Sequence, residues 1–350
     1  MELIGGREWI PVRKSNLKYY DDVELYYRNP AGRIALYKPA GMSFTDEALE
    51  AKPFLGHLYI QPEDKLRALR EAQRGFSTNL TSRLMSATPE KLAQIKEDLT
   101  VIVDETLSEP RSGSLRVLPD FVASIVDGYS GQPTIIKYLA RISHADYTTA
   151  IHSINVMALT VGYCYYTNRS LERTQSLGLA ALLHDVGKVE VDPHILTAPR
   201  RLTEKEFAEM TRHPEAGARI LEEYSDEMSD AIEAALQHHL KLDGSGYPMG
   251  LKVPVSETGR IISIIDAYEA LTNDDRPYRS AMRPLAALRI LKDDTDAGKY
   301  DRRIFAEFAY SLTDFRSSSK RSHALYPRVE RESVERITRT LKASDEATTA

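Results

Sequence analysis

The sequence has a single cysteine, Cys164, in 350 residues, which excludes an internal disulfide and any thiolate cluster. A metal site in such a chain must be built from histidine and carboxylate. The chain also lacks any apolar run approaching the roughly 18 residues that a membrane helix requires, and Met1-Glu-Leu-Ile-Gly-Gly has neither the basic nor the apolar stretch of a secretory leader. No membrane insertion and a cytoplasmic setting are expected. Nor is there an excess of positive charge: 46 Lys and Arg against 51 Asp and Glu leave a net charge of −5, which argues against binding duplex nucleic acid through bulk electrostatics. A phosphate-bearing ligand must therefore be held by local charge.

What is present divides into two parts and a tail. Residues 1–110 read as a small α/β domain for regulation or dimerisation, through a second copy or a signalling partner. Val23 to Arg28 and Arg33 to Lys38 alternate as two strands around the turn Asn29-Pro-Ala-Gly32. His57 to Gln61 is a third strand. Thr45 opens one short helix and Pro62 another, and Leu92, Ile95, Leu99 and Ile102 mark a connecting helix over 80–107. The polar stretch Ser108-Glu-Pro-Arg-Ser-Gly-Ser is the best internal break. Residues 111–320 then read as a helical bundle, so the fold class is mainly α. In 321–350, Val334, Ile337 and Leu341 predict one amphipathic helix before a polar tail.

The helical part concentrates the chemistry. His184 and Asp185 follow the apolar helix Leu177-Gly-Leu-Ala-Ala-Leu-Leu, and Gly187 and Lys188 come directly after them. An HD pair alone is weak, since a histidine at a helix end is more often a cap. His213, the adjacent His238 and His239, and Asp266 strengthen it. Neighbouring helical residues lie about 100° apart, so His238 and His239 are expected to serve two neighbouring metal ions. Asp266 sits in a helix apolar almost all round, where a bare carboxylate would cost several kcal/mol; a cation or a salt bridge to an arginine would relieve it. His152 lies on a further helix with core-facing Ile151, Ile154, Ala158 and Val161. Alone it reads as a core histidine; with the others it reads as a ligand, since bundles build metal sites from inward-facing side chains.

The strings His152-Ser-Ile-Asn-Val, Leu183-His-Asp-Val-Gly-Lys188, Leu196 through Leu202-Thr-Glu, His213-Pro-Glu-Ala-Gly, His238-His239 through Asp243-Gly-Ser-Gly-Tyr-Pro248, and Asp266 through Arg276-Pro-Tyr-Arg279 span roughly residues 140–285. In order and spacing this segment resembles the HD-GYP branch of the HD phosphohydrolase superfamily. The resemblance implies that His152, His184, Asp185, His213, His238, His239 and Asp266 are metal ligands, with Asp185 bridging two ions. Two divalent ions sharing a carboxylate can generate a nucleophile at neutral pH. It implies iron or manganese, with zinc as a further option. Lys188 would neutralise charge on phosphoryl oxygens or assist the leaving group, and Gly246, Tyr247, Pro248, Arg276 and Arg279 would contact the substrate.

The implied activity is hydrolysis of cyclic di-GMP to linear pGpG. Two rival readings are a phosphohydrolase of mononucleotides, disfavoured by the Gly-Tyr-Pro string, and a cyclic-dinucleotide sensor without turnover, disfavoured by the intact ligand set and Lys188. Two departures stand out. Thr148 occupies the position, four before His152, where three-metal members carry glutamate, which implies two metals here. Glu269 replaces a second aspartate, and Asn273-Asp274-Asp275 contains one extra residue, which affects the placement of Arg276 and Arg279.

Overall fold

The structure is a computed structural model. It describes residues 2–4, 6–29, 31–43, 57–78, 80, 83, 88–130, 148–224, 228–249, 254–273, 282–313 and 333–339. The chain divides into two compact units, Met1–Ile125 and Val126–Ala350. The expected helix at Thr45 and both Arg276 and Arg279 lie outside the described residues.

In the first unit, strands β1 (Glu2–Ile4), β2 (Arg7–Val12), β3 (Leu25–Arg28), β4 (Ile34–Lys38) and β5 (Leu58–Ile60) form an antiparallel sheet in the order β1-β2-β5-β3-β4. The hairpin β3–β4 and strand β5 fall where alternation places them. β1 and β2 have no such pattern: β1 is only three residues long, and Pro11 in β2 reads as a strand breaker although it pairs opposite Tyr59. Ile4, Trp9 and Tyr59 pack together on one face. Helix α1 (Lys65–Ser77) buries Ala68, Leu69, Ala72 and Phe76, a stripe at helical spacing. Helix α2 (Pro89–Leu107) has Pro at its first turn and Thr88 accepting from the Lys91 N–H, which caps its start. The polar break beyond it forms two short 3-10 turns, after which α3 (Leu118–Ser130) runs across the division between the units.

The second unit is helical. Its centre is α4 (Thr149–Tyr166), buried over Ala150–Cys164. A helix buried all round shows little amphipathic pattern, and α4 packs on α5 (Leu171–Leu183), α10 (Glu257–Thr272) and α12 (Arg302–Ser311). Between α5 and α10 come α6 (Pro193–Leu196), α7 (Glu204–Met210), α8 (His213–Glu222) and α9 (Ser229–Gln237); α11 (Pro284–Asp296) follows α10. Residues 333–339 form the predicted late helix, with Val334 and Ile337 buried. Cys164 is buried, and burial pushes its thiol up to about 12, as suits a core residue. Among the described residues no helix is long and apolar enough to cross a membrane.

Candidate metal centre

Five helices bring the ligand-type residues together. His152 and Asp266 project from within α4 and α10, whereas His184 and Asp185 follow the last residue of α5. His238 and His239 follow the last residue of α9, and His213 opens α8. Helix ends suit this work because their last carbonyls have no partner within the helix. The Nδ1–H of His184 donates to Ala181 O at 2.7 Å, that of His213 to Met210 O at 2.7 Å, and that of His238 to Ala234 O at 2.9 Å. A carbonyl can only accept, so each bond fixes the tautomer and leaves Nε2 with its lone pair.

Those lone pairs converge. His152 Nε2 lies 3.2 Å from His184 Nε2, and His213 Nε2 lies 3.2 Å from His238 Nε2. Asp185 stands between the pairs. Its Oδ2 is 3.4 Å from both His152 Nε2 and His184 Nε2, and its Oδ1 is 3.3 Å from His213 Nε2 and 3.6 Å from His238 Nε2. Oδ1 is buried and has no hydrogen-bond partner of good geometry. Two four-way and three-way sets result, Asp185, His213, His238 and His239 in one and His152, His184 and Asp266 in the other, with the ligand atoms of each set within 4.8 Å of one another. A proton or a metal ion is what such an arrangement demands, and the donors fit divalent ions of the borderline, imidazole-binding kind.

At three of the histidines the electrostatics favour a ligand. Burial draws His184 down to about 4, which favours the neutral, ligating imidazole, and burial likewise lowers His213 and His239. Burial acts the same way on His152, but Glu269 and Asp266 outweigh it and raise that ring to about 9. Burial opposes ionisation of Asp185, yet Lys188 and the surrounding histidines hold its carboxyl well below the usual carboxylate range. Asp266, which finds no arginine among the described residues, has His152 Nε2 at 3.0 Å from its Oδ1. The relief comes from the centre itself.

Several expectations are modified. His238 and His239 fall in the same set, directly after the last residue of α9. The side chain of Thr148 accepts from the Ile151 N–H at 3.3 Å and so caps α4. Lys188 Nζ donates to Asp185 Oδ2. Gly246 is where a Cβ would stand 2.1 Å from His239 O, and Gly187 is where one would stand 2.1 Å from His213 O, so both glycines permit close backbone approach beside ligands. The Tyr247 ring lies against His239 with centroids 4.4 Å apart, and Pro248 follows it through a cis peptide bond.

Two residues escape the sequence patterns, Lys241, described below, and Glu269, which stands there only as a substitution for aspartate. Its Oε2 receives the His152 Nδ1–H at 2.5 Å, while Oε1 accepts from Asn155 at 2.8 Å and Asn273 at 2.6 Å. This carboxylate orients His152 as backbone carbonyls orient His184, His213 and His238. The available signal was the spacing of Asp266 to Glu269 and His152 to Asn155, each one helical turn on facing helices. Glu269→Ala is expected to weaken metal binding by roughly 10–100-fold, the usual scale for removing such a partner, with Glu269→Gln between the two. Competition against a chelator measures it, and unchanged affinity in the alanine variant would refute the orienting role.

Beyond Asp266 a cavity of about 310 Å³ opens beside the centre, lined among others by His239, Lys241, Asp266 and Tyr300. Lys241 was not singled out by its sequence context; burial draws it down to about 8 against the pull of Asp266.

Residues 133–304 match the HD domain family. A cyclic di-GMP phosphodiesterase of Pseudomonas aeruginosa is 33% identical over 194 residues, covering 55% of this chain and 46% of that protein. A 3′3′-cGAMP-specific phosphodiesterase of Vibrio cholerae is 34% identical over 155 residues, covering 44% and 36%. The chain thus spans less than half the length of these curated relatives. An HDG"Y"P protein from Bdellovibrio bacteriovorus superposes with a TM-score of 0.60 over 86% of this chain and 98% of that one, at 19% identity, a likeness of fold. The ligand-type residues thus converge within the segment that matches the HD domain family, residues 133–304.

Proposed function

We propose that the protein hydrolyses a 3′–5′ phosphodiester of a cyclic dinucleotide, with cyclic di-GMP as substrate and linear pGpG as the main product. The observation that carries this reading is the division of Asp185, one oxygen toward each histidine pair, which is the arrangement of a carboxylate shared by two ions. In this reading His152, His184 and Asp266 would hold one ion, His213, His238 and His239 would hold the other, and Asp185 would serve both. The ions, iron or manganese, would lower the pKa of water so that a nucleophile exists at neutral pH. Water oxygen bonds to phosphorus as the bond to O3′ breaks, and O3′ takes up a proton, leaving a 5′-phosphate.

The chain's own groups supply the rest. Lys188, hydrogen-bonded to Asp185 and partly exposed, stands where it can offset charge growing on phosphoryl oxygens. Tyr247 and Gly246 border His239 and, with Pro248, would form one wall for the substrate, with Arg276 and Arg279 adding cations. The relatives named for cyclic di-GMP and for 3′3′-cGAMP support a cyclic dinucleotide in either case. The first unit would govern assembly or activity, through a second copy or a signalling partner. A charged, membrane-impermeant substrate suits a cytoplasmic enzyme.

Thr148 limits the metal count in this proposal. Its hydroxyl is engaged as the cap of α4 and is neutral, a weak ligand for a third divalent ion beside carboxylate alternatives. Two metals per chain are expected, and cleavage of the first diester should outpace the second. Anomalous scattering gives the count, and a chromatographic time course with anaerobically prepared, iron-loaded protein gives the products. A fully occupied third site, or GMP accumulating from the outset without pGpG, would refute this assignment; no turnover of any cyclic dinucleotide would refute the activity.

A further inference from the structure

A cyclic dinucleotide carries two phosphates on opposite sides of its ring. When one is at the metal ligands the other cannot be, so its charge needs a separate partner within the same pocket. The cavity of about 310 Å³ beside the centre is lined by His239 and Asp266, one from each ligand set, and among others by Lys241, Tyr300, Asp294 and Leu291. Its size is at the low end for ligand pockets, enough for part of a dinucleotide.

Lys241 is unusual in its company. Its Nζ donates to Tyr300 Oη at 2.8 Å and to Ser263 Oγ at 3.3 Å, and it lies 4.1 Å from the Tyr300 ring centroid. Among the described residues its hydrogen-bond partners are these two hydroxyls. Asp294, the nearby acid of the cavity, is taken by Lys299 Nζ at 2.7 Å. Tyr300 and Ser263 are buried. Lys241 is half-buried, and the acids that act on it, Asp266 first and then Asp294 and Asp243, do so without a direct hydrogen bond, so an anion would complete the site. The two hydroxyls use two of its three N–H donors, which leaves one for a ligand. They also fix the stem, so little side-chain freedom remains to be lost on binding.

We infer that Lys241, positioned by Tyr300 and Ser263, binds the second, uncleaved phosphate of the cyclic dinucleotide. This rests on the substrate class proposed above and adds a residue outside the metal ligands and Lys188. A phosphate contact is blind to the base. The apolar wall at Leu291 would lie along the adjoining nucleoside.

The test compares substrates with two phosphates and with one. Lys241→Met is expected to raise KM for cyclic di-GMP and lower kcat/KM by roughly 10–100-fold, the scale for losing a charge-assisted bond to a desolvated anion. It should weaken 3′3′-cGAMP to the same degree. With bis(p-nitrophenyl) phosphate, which has one phosphodiester and no second phosphate, the loss should be at least about tenfold smaller. Calorimetry with the cleavage-resistant bis-phosphorothioate of cyclic di-GMP should show the same weakening, and Lys241→Arg should recover part of it, since it keeps the charge. Equal losses on the cyclic and the simple diester would overturn the inference, as would a loss confined to one base. Cleavage of bis(p-nitrophenyl) phosphate by wild-type protein that neither binds nor cleaves cyclic dinucleotides would overturn the substrate reading itself and this inference with it.

Discussion

Replacing His184 and Asp185 together by alanine is expected to strip the protein of metal and abolish hydrolysis. The double change removes one Nε2 and both oxygens of the carboxylate that lies between the histidine pairs. Each ligand set then loses its connection to the other, and the set of three retains only His152 and Asp266. Elemental analysis decides the matter, since a folded variant with unchanged metal content would place the metals elsewhere. Circular dichroism guards against a trivial loss through unfolding, because helix α5 continues to bury Leu179, Ala180, Leu182 and Leu183 whatever follows it.

Lys188→Ala is expected to retain metal while turnover falls by roughly 100-fold, a typical scale for losing one preorganised electrostatic stabiliser. The structure sharpens this expectation. Lys188 donates to Asp185 Oδ2, the oxygen on the side of His152 and His184, so removing it takes away a competitor for that oxygen. Metal affinity should therefore hold or increase as catalysis drops. Metal analysis beside single-turnover kinetics separates the two effects, and a variant that loses metal in step with activity would show that Lys188 supports the ligand rather than the reaction.

Much of this centre was legible in the sequence because its parts announce themselves locally. His184-Asp185 at a helix end, the paired His238-His239, and Asp266 in an apolar helix each carry a chemical oddity that a short window reveals. What the windows missed depends on backbone path or on distant partners. That His238 and His239 serve one set depends on where Asp185 and His213 come to lie beside them, which spacing along one helix does not give. Thr148 was read for the ligand it fails to be, although a threonine opening a helix is also a cap. Glu269 meets His152 across 117 residues of chain, and Lys241 meets Tyr300 across 59, separations at which no periodicity speaks. In the first unit the hairpin was legible from alternation, whereas β2 was hidden by Pro11, which only the pairing with β5 explains.

The gathering of ligands from five helices has a consequence for how the protein comes into being. From His152 to Asp266 the donors are dispersed along the unfolded chain, and drawing them together means closing several long loops, an entropic cost that grows with the logarithm of their length. An unfolded chain therefore offers no ready site, and metal must bind late, after the helices have docked. Its binding free energy is then folding free energy for the second unit. Metal supply during synthesis would set the lifetime of the protein as well as its activity, since chains that mature without ions stay nearer to unfolding and to the proteases that act on unfolded molecules.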